Sequence, residues 1–305
     1  MDKPVSIGFI GLGVMGEPMC RNLCLKLQGG VDEADAAPEL FSISVFDVHT
    51  DKATGFSELG ASVCGSIAEV AGVSQIILLS LPGGDELEEV LCGKGSVFDH
   101  APTGAIIVDL STSPVELTRT LAELAMERGL RYVDSPVART RKAAETGTLA
   151  MSVGGDLRVV QRVLPLLECM ATDITHVGAV GNGQMVKILN NMVLFQTVSA
   201  LAEAKALAEA AGMDAETLFT ALQQGSANSF ALEQHAMQAL LPEKFPEQAF
   251  SVNYAKKDLR YALELSDATD TNVAGARHID ALFERAISQG KGEQYWPVIG
   301  TLVDE

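Results

Sequence analysis

A run of β-type residues at positions 5–10 leads directly into Gly11-Leu12-Gly13-Val14-Met15-Gly16, and residues 17–27 then read as a helix. A GxGxxG triplet alone is weak evidence; between a strand and a helix it is the fingerprint of a dinucleotide site. Gly11 makes the tight turn, and Gly13 lets the backbone approach a pyrophosphate. Gly16 lets the helix pack closely on its strand. Leu12, Val14 and Met15 complete a loop that turns the helix amino terminus toward the phosphates. The second strand, residues 43–46, ends on Asp47. An acidic residue there bonds the adenosine ribose and disfavours a 2′-phosphate, so NAD is expected over NADP. The separation is longer than usual, and the surplus, residues 29–40, reads as an exposed acidic loop.

Strands and helices keep alternating. Residues 53–59 read as a helix, 61–63 as a strand, 66–72 as a helix and 75–81 as an apolar strand, which closes on Leu81 and Pro82 before two glycines. A helix at 85–91 and a strand at 105–110 follow. Ser111, Thr112 and Ser113 are placed to cap a helix over 114–129. Strands at 131–134 and 151–153 flank a turn-like segment, 143–149. Strands covered on both faces, alternating with helices, define a doubly wound, mostly parallel α/β sheet of Rossmann type. Beyond residue 212 the patterns are helical only, at 214–225, 230–240, 259–266 and 274–290.

Between these halves lies a proline-free stretch from Gly181 to Gly212, with Asn182 as a possible cap and Gly212 as terminator. Its first half is apolar on nearly every face, yet it contains Lys187, with Asn191 one turn later and Gly183 one turn before. Burying an ammonium needs a reason. A lysine reaching out to solvent or held in an ion pair is one reading; a catalytic amine, with Gly183 leaving room for a ligand, is the other. The helix by itself leaves both open.

Net charge bounds the partners. With 22 basic and 40 acidic residues, a net charge of −18, the chain is unsuited to nucleic acid or to anionic membranes. Cys20, Cys24, Cys64, Cys92 and Cys169 form neither a CxxC nor a regular framework, and read as reduced cytoplasmic thiols. The opening residues lack a signal-peptide pattern. No metal site is expected.

GFIGLGVMGEPM, the segment DSPV…AAETGTL…VGG, GNGQMVKILNN and Lys256-Lys257-Asp258-Leu259 occur in order along essentially the whole chain. Together they resemble the β-hydroxyacid dehydrogenase family, which includes 3-hydroxyisobutyrate dehydrogenases and tartronate semialdehyde reductases. The resemblance implies a dinucleotide-binding domain over 1–178. It also implies an interdomain helix and all-helical domain over 179–305, through which the chain forms a homodimer or homotetramer. It implies hydride transfer between NAD(P) and a short 3-hydroxy acid or its semialdehyde. By position, Lys187 is the acid/base and Asn191 its substrate-side partner; Lys257 closes over the nicotinamide, Thr112 contacts the cofactor near the ring, and Leu81 and Pro82 line the cofactor groove. An amine within hydrogen-bond reach of a carbinol oxygen suits this chemistry, and desolvation lowers a lysine pKa toward working pH. His49, His100, His176, His235 and His278 are scattered, so a histidine-centred mechanism has no support.

One departure bears on substrate. Where the family carries Ser-Gly-Gly after DxPV, this chain has Ala138-Arg139-Thr140. Sulfolactaldehyde reductases of the family carry a similar segment, and a guanidinium suits a sulfonate. Because Arg139 is the only residue pointing to a sulfonate, the leading substrate is a small carboxylate, with a sulfonate semialdehyde bound through Arg139 as the alternative. Imine reduction is disfavoured because Lys187 is retained. A dinucleotide-binding module without turnover is the remote alternative, at odds with the set Lys187, Asn191 and Lys257.

Overall fold

The computed structural model describes residues 5–29, 41–247 and 249–303. The acidic insertion expected at 29–40 lies, past Gly29, outside the described residues. The chain divides into two compact units, Met1–Lys187 and Ile188–Glu305.

Among the described residues the first unit has nine strands: β1 (Val5–Ile10), β2 (Phe41–Phe46), β3 (Ser62–Val63), β4 (Ile76–Leu79), β5 (Ile106–Asp109), β6 (Arg131–Asp134), β7 (Val137–Ala138), β8 (Leu149–Gly154) and β9 (Ala171–Gly178). The order β3-β2-β1-β4-β5-β6 is parallel throughout. β8 then runs antiparallel to β6 and β7, and β9 pairs with it in parallel. Period-2 alternation sends neighbouring residues to opposite faces. Phe9, Leu78 and Val108 join one apolar core, while Ile10, Ile77, Leu79 and Ile107 join another. Chain order reverses about β1, between β2 and β4, and this switch point is where open α/β sheets bind ligands.

Several local expectations change. The helix read over 53–59 is two pieces, Thr50–Thr54 and a 3-10 turn Ser57–Leu59, separated at Gly55. The turn-like segment at 143–149 is the helix Arg141–Thr146, ended by Gly147 in the left-handed region, after which β8 begins. The helix Val115–Glu127 starts after Pro114 without a side-chain cap, so Ser111, Thr112 and Ser113 do not cap it. A helix at Leu157–Leu167, capped by Asp156, and strand β9 add elements that periodicity did not mark.

The long helix runs from Asn182 to Ala210, about 44 Å at 1.5 Å per residue. It is long and apolar enough to cross a membrane, yet Phe195, Val198, Leu201 and Ala202 belong to the buried core of the second unit. Its end is a Schellman motif: Met213 N–H donates to Ala208 C=O at 2.8 Å and Gly212 N–H to Glu209 C=O at 3.0 Å, with Gly212 at φ +87. Asn182 is not the cap at the other end, since its Nδ2 donates backward to Val177 C=O at 2.9 Å.

The second unit packs Phe195, Phe219, Phe283 and Trp296 at its centre. Trp296 is fully buried, its ring 4.8 Å edge-on from Phe195; it is a core residue of this unit. The helix carrying Lys256-Lys257-Asp258-Leu259 begins earlier than expected, spanning Val252–Ala268 behind a Ser251 cap. These residues therefore lie within the helix, not ahead of it.

Candidate active site

The glycine loop has the geometry its spacing requires. Gly11 sits at φ +96, where only glycine is unstrained, and a Cβ there would collide with the Ser80 carbonyl at the end of β4. A Cβ on Gly16 would strike the Gly11 carbonyl, while one on Gly13 would meet nothing within 4 Å. Open space at Gly13, beside the first turn of a 14-residue helix, fits the approach of a dinucleotide pyrophosphate. Asp47 is buried; its Oδ2 accepts the Leu12 N–H at 2.6 Å and its Oδ1 the His49 N–H at 2.8 Å. The carboxylate thus braces the loop, and His49 is itself exposed. At the neighbouring strand end, Leu81 N–H donates to Ser111 Oγ at 2.9 Å, while Pro82 is exposed and Thr112 half-buried.

Residues that sequence reading passed over hold this edge together. The Asp134 carboxylate, at the end of β6, accepts Gly181 N–H at 2.8 Å and Gln184 N–H at 2.9 Å. It is the amino-terminal cap of the long helix, supplied from 47 and 50 residues away. Burial raises its pKa, opposed by the amides of Gly181, Gln184 and Gly183. Gly183 allows this docking: a Cβ would lie 2.5 Å from Ser152 O and 2.7 Å from Asp134 Oδ2. The room at Gly183 is therefore taken by the sheet edge, not left for a ligand.

Asp109, at the end of β5, is fully buried, with Oδ1 accepting Ser111 N–H at 2.9 Å. Its Oδ2 receives Gln184 Nε2 at 3.2 Å, Tyr132 OH at 3.3 Å and Ser113 Oγ at 3.4 Å. Desolvation raises its pKa to about 6, against the hydrogen bonds from Ser111. The signal for both aspartates was a carboxylate at the carboxyl end of a buried strand segment, Ile106–Asp109 and Tyr132-Val133-Asp134.

Lys187 is half-buried, one turn after Gln184. Arg139 is occupied. Its Nη1 donates to Thr148 C=O at 2.6 Å and Thr172 Oγ1 at 3.1 Å, and its Nη2 pairs with Asp173 Oδ2 at 2.7 Å. Its backbone lies at φ +83, a conformation natural to the glycine of the family pattern. Ala138 pairs with Ala150 in the β7–β8 ladder, and Thr140 is the residue before a six-residue helix, making no side-chain cap bond.

In the second unit, Asn191 Nδ2 donates to Asp258 Oδ2 at 2.8 Å and its Oδ1 accepts Asn190 Nδ2 at 3.2 Å. Lys257 Nζ lies 3.0 Å from Asp258 Oδ1, an ion pair not aligned as a hydrogen bond, and 5.4 and 5.2 Å from the ring centres of Tyr254 and Tyr261. Asp258, 4% exposed, thus holds both residues. Among the described residues no group of three or more His, Cys, Asp or Glu side chains is arranged to hold a metal ion.

A doubly wound sheet with this glycine loop at its switch point defines a dinucleotide-binding domain. Residues 6–178 match the family model for the NAD-binding domain of 6-phosphogluconate dehydrogenase, and residues 181–296 match that for the NAD-binding region of NADP-dependent 3-hydroxyisobutyrate dehydrogenase. The chain is 34% identical to a 2-(hydroxymethyl)glutarate dehydrogenase from Eubacterium barkeri, covering 96% of this chain and 93% of that one. It is 33% identical to the 2-hydroxy-3-oxopropionate reductase of Escherichia coli K12, covering 94% and 92%. The structure of a Mycobacterium tuberculosis 3-hydroxyisobutyrate dehydrogenase with L-serine superposes with a TM-score of 0.86 at 28% identity, over 99% of this chain and all of that one. The chain belongs to the β-hydroxyacid dehydrogenase family.

Proposed function

We propose that the chain reduces a short carboxylate semialdehyde, or oxidises the matching 3-hydroxy acid, with NAD as preferred cofactor and Lys187 as the acid/base. The observation that carries this reading is the Asp134 cap, which ties the turn leading to Lys187 to the carboxyl edge of the sheet, the edge where such folds bind dinucleotides. When bound, the nicotinamide supplies or accepts the hydride. The chain's own contribution is to bind, orient and move a proton. The Lys187 ammonium gives its proton to the nascent alkoxide during reduction and retrieves it during oxidation. Asn191 and Lys257, held by Asp258, serve the substrate and nicotinamide sides. Asp47, the residue after β2, is an acidic side chain where an adenosine ribose would sit, which favours NAD over NADP.

The 138–140 segment bears on the substrate class. The Arg139 guanidinium bonds to Thr148, Thr172 and Asp173 within its own unit, which favours a carboxylate over a sulfonate. The test is a spectrophotometric screen of NADH and NADPH consumption across matched carboxylate and sulfonate semialdehydes. Faster turnover of the sulfonates, with Arg139→Ala raising KM for them alone, would reverse this preference. Inactivity toward every hydroxy acid and semialdehyde would defeat the reading itself. The assembly in keeping with it is a homodimer or homotetramer built through the helical unit.

A further inference from the structure

Gln184 is fully buried and uses its whole carboxamide on one loop. Oε1 accepts the Ser113 N–H at 3.1 Å, and Nε2 donates to the Ser111 C=O at 2.9 Å and to Asp109 Oδ2 at 3.2 Å. The two backbone partners flank Thr112, so a single amide grips the peptide groups on either side of that residue. The backbone N–H of Gln184 is meanwhile held by Asp134. Its side chain therefore links the strand-end loop 110–114 to the first turn of the long helix, and Lys187 follows one turn later.

We propose that Gln184 is a positioning residue, which sets Lys187 relative to the Thr112 loop so that proton transfer and hydride transfer occur at a common geometry. This rests on the functional reading above. Only a carboxamide satisfies the pair: the loop offers one donor, Ser113 N–H, and two acceptors, Ser111 C=O and Asp109. A carboxylate has no proton for the acceptors. Asparagine is one methylene too short, and methionine fills the volume without any strong hydrogen bond. Misplacement of about 1 Å in a hydride-transfer geometry costs on the order of 100-fold in rate.

The experiment compares wild type, Gln184→Met, Gln184→Asn and Gln184→Glu. Each is measured as kcat per NADH-binding site, NADH Kd by fluorescence, amide exchange over 110–114, and the primary deuterium isotope effect with deuterated NADH. Gln184→Met is expected to lower kcat about 10- to 100-fold, to leave NADH Kd within about threefold, to raise the isotope effect and to expose the Ser113 amide to exchange. Gln184→Glu is expected to recover kcat as pH falls, because the protonated carboxyl both donates and accepts. Recovery of kcat per binding site with acid is a signature that a merely structural role would not produce. If wild type turns over but Gln184→Met, or Gln184→Asn should the first not fold, keeps kcat per site within about threefold with an unchanged isotope effect, the positioning role is overturned. Inactive wild type would overturn the functional reading instead.

Discussion

Lys187 takes its meaning from its neighbours. Replacing it with alanine removes the proton donor while leaving the Gly11–Gly16 loop and Asp47 untouched. Turnover is expected to fall by about 10²- to 10⁴-fold with NADH Kd nearly unchanged, checked by steady-state kinetics beside fluorescence titration; retained turnover would remove Lys187 from the mechanism. Asp134 makes a different prediction. An asparagine there presents an N–H where the carboxylate accepted an amide, and one buried donor goes unpaired. Asp134→Asn should cost about 2 kcal/mol in denaturant titration. Arg139 shows what residue type alone leaves out: its guanidinium is bonded to Thr148, Thr172 and Asp173, on and beside β8 and β9. Nothing in the local sequence names Thr148, Thr172 or Asp173 as its partners.

Among the elements, the long helix is the most legible and the most dependent on distant residues. Its extent, its lysine and its glycine terminator follow from local pattern. The partner that caps its start does not, because the capping carboxylate comes from β6 and the room for it comes from Gly183. Gly183→Ala would drive a methyl into Ser152 O and Asp134 Oδ2. A loss of about 3 kcal/mol is expected, read as a lowered Tm together with faster exchange of the Gly181 and Gln184 amides. The Val252–Ala268 helix shows the converse. Its lysine pair was visible, but the Ser251 cap placed the pair inside the helix, where Asp258 turns back to Asn191.

Across the whole molecule, one buried group in each unit is shifted in the opposite sense, Asp109 upward and His235 downward. Asp109 is raised from 3.8 to about 6, so the folded first unit holds this proton more tightly than the unfolded chain does. Its contribution is fully present below pH about 4 and is lost as pH rises through about 6, amounting to about 3 kcal/mol. Asp134, also raised by burial, acts in the same direction. His235 is lowered by desolvation from 6.5 to about 4, with its Nδ1 bonded to Tyr295 OH at 2.6 Å. That contribution is present above pH about 6.5 and is lost as pH falls through about 4, again about 3 kcal/mol. Native-state hydrogen exchange between pH 4 and 7, about the window these values define, should show the first unit more protected at the acid end and the second at the neutral end. Asp109→Asn and His235→Phe should each flatten one trend and leave the other.

The alternation of strand and helix, the glycine loop, the acidic end of β2, the lysine-bearing helix and the family itself were legible in the sequence, because each rests on periodicity or on motifs read within a short span. Only the tertiary structure revealed that Asp109, Asp134 and Gln184 join three chain segments at the edge of the sheet, and that Arg139 is engaged elsewhere. Those contacts bridge 47 to 75 residues in the first case and 9 to 34 in the second. A buried polar group finds its partner wherever packing brings a complementary atom, and no local spacing encodes that address.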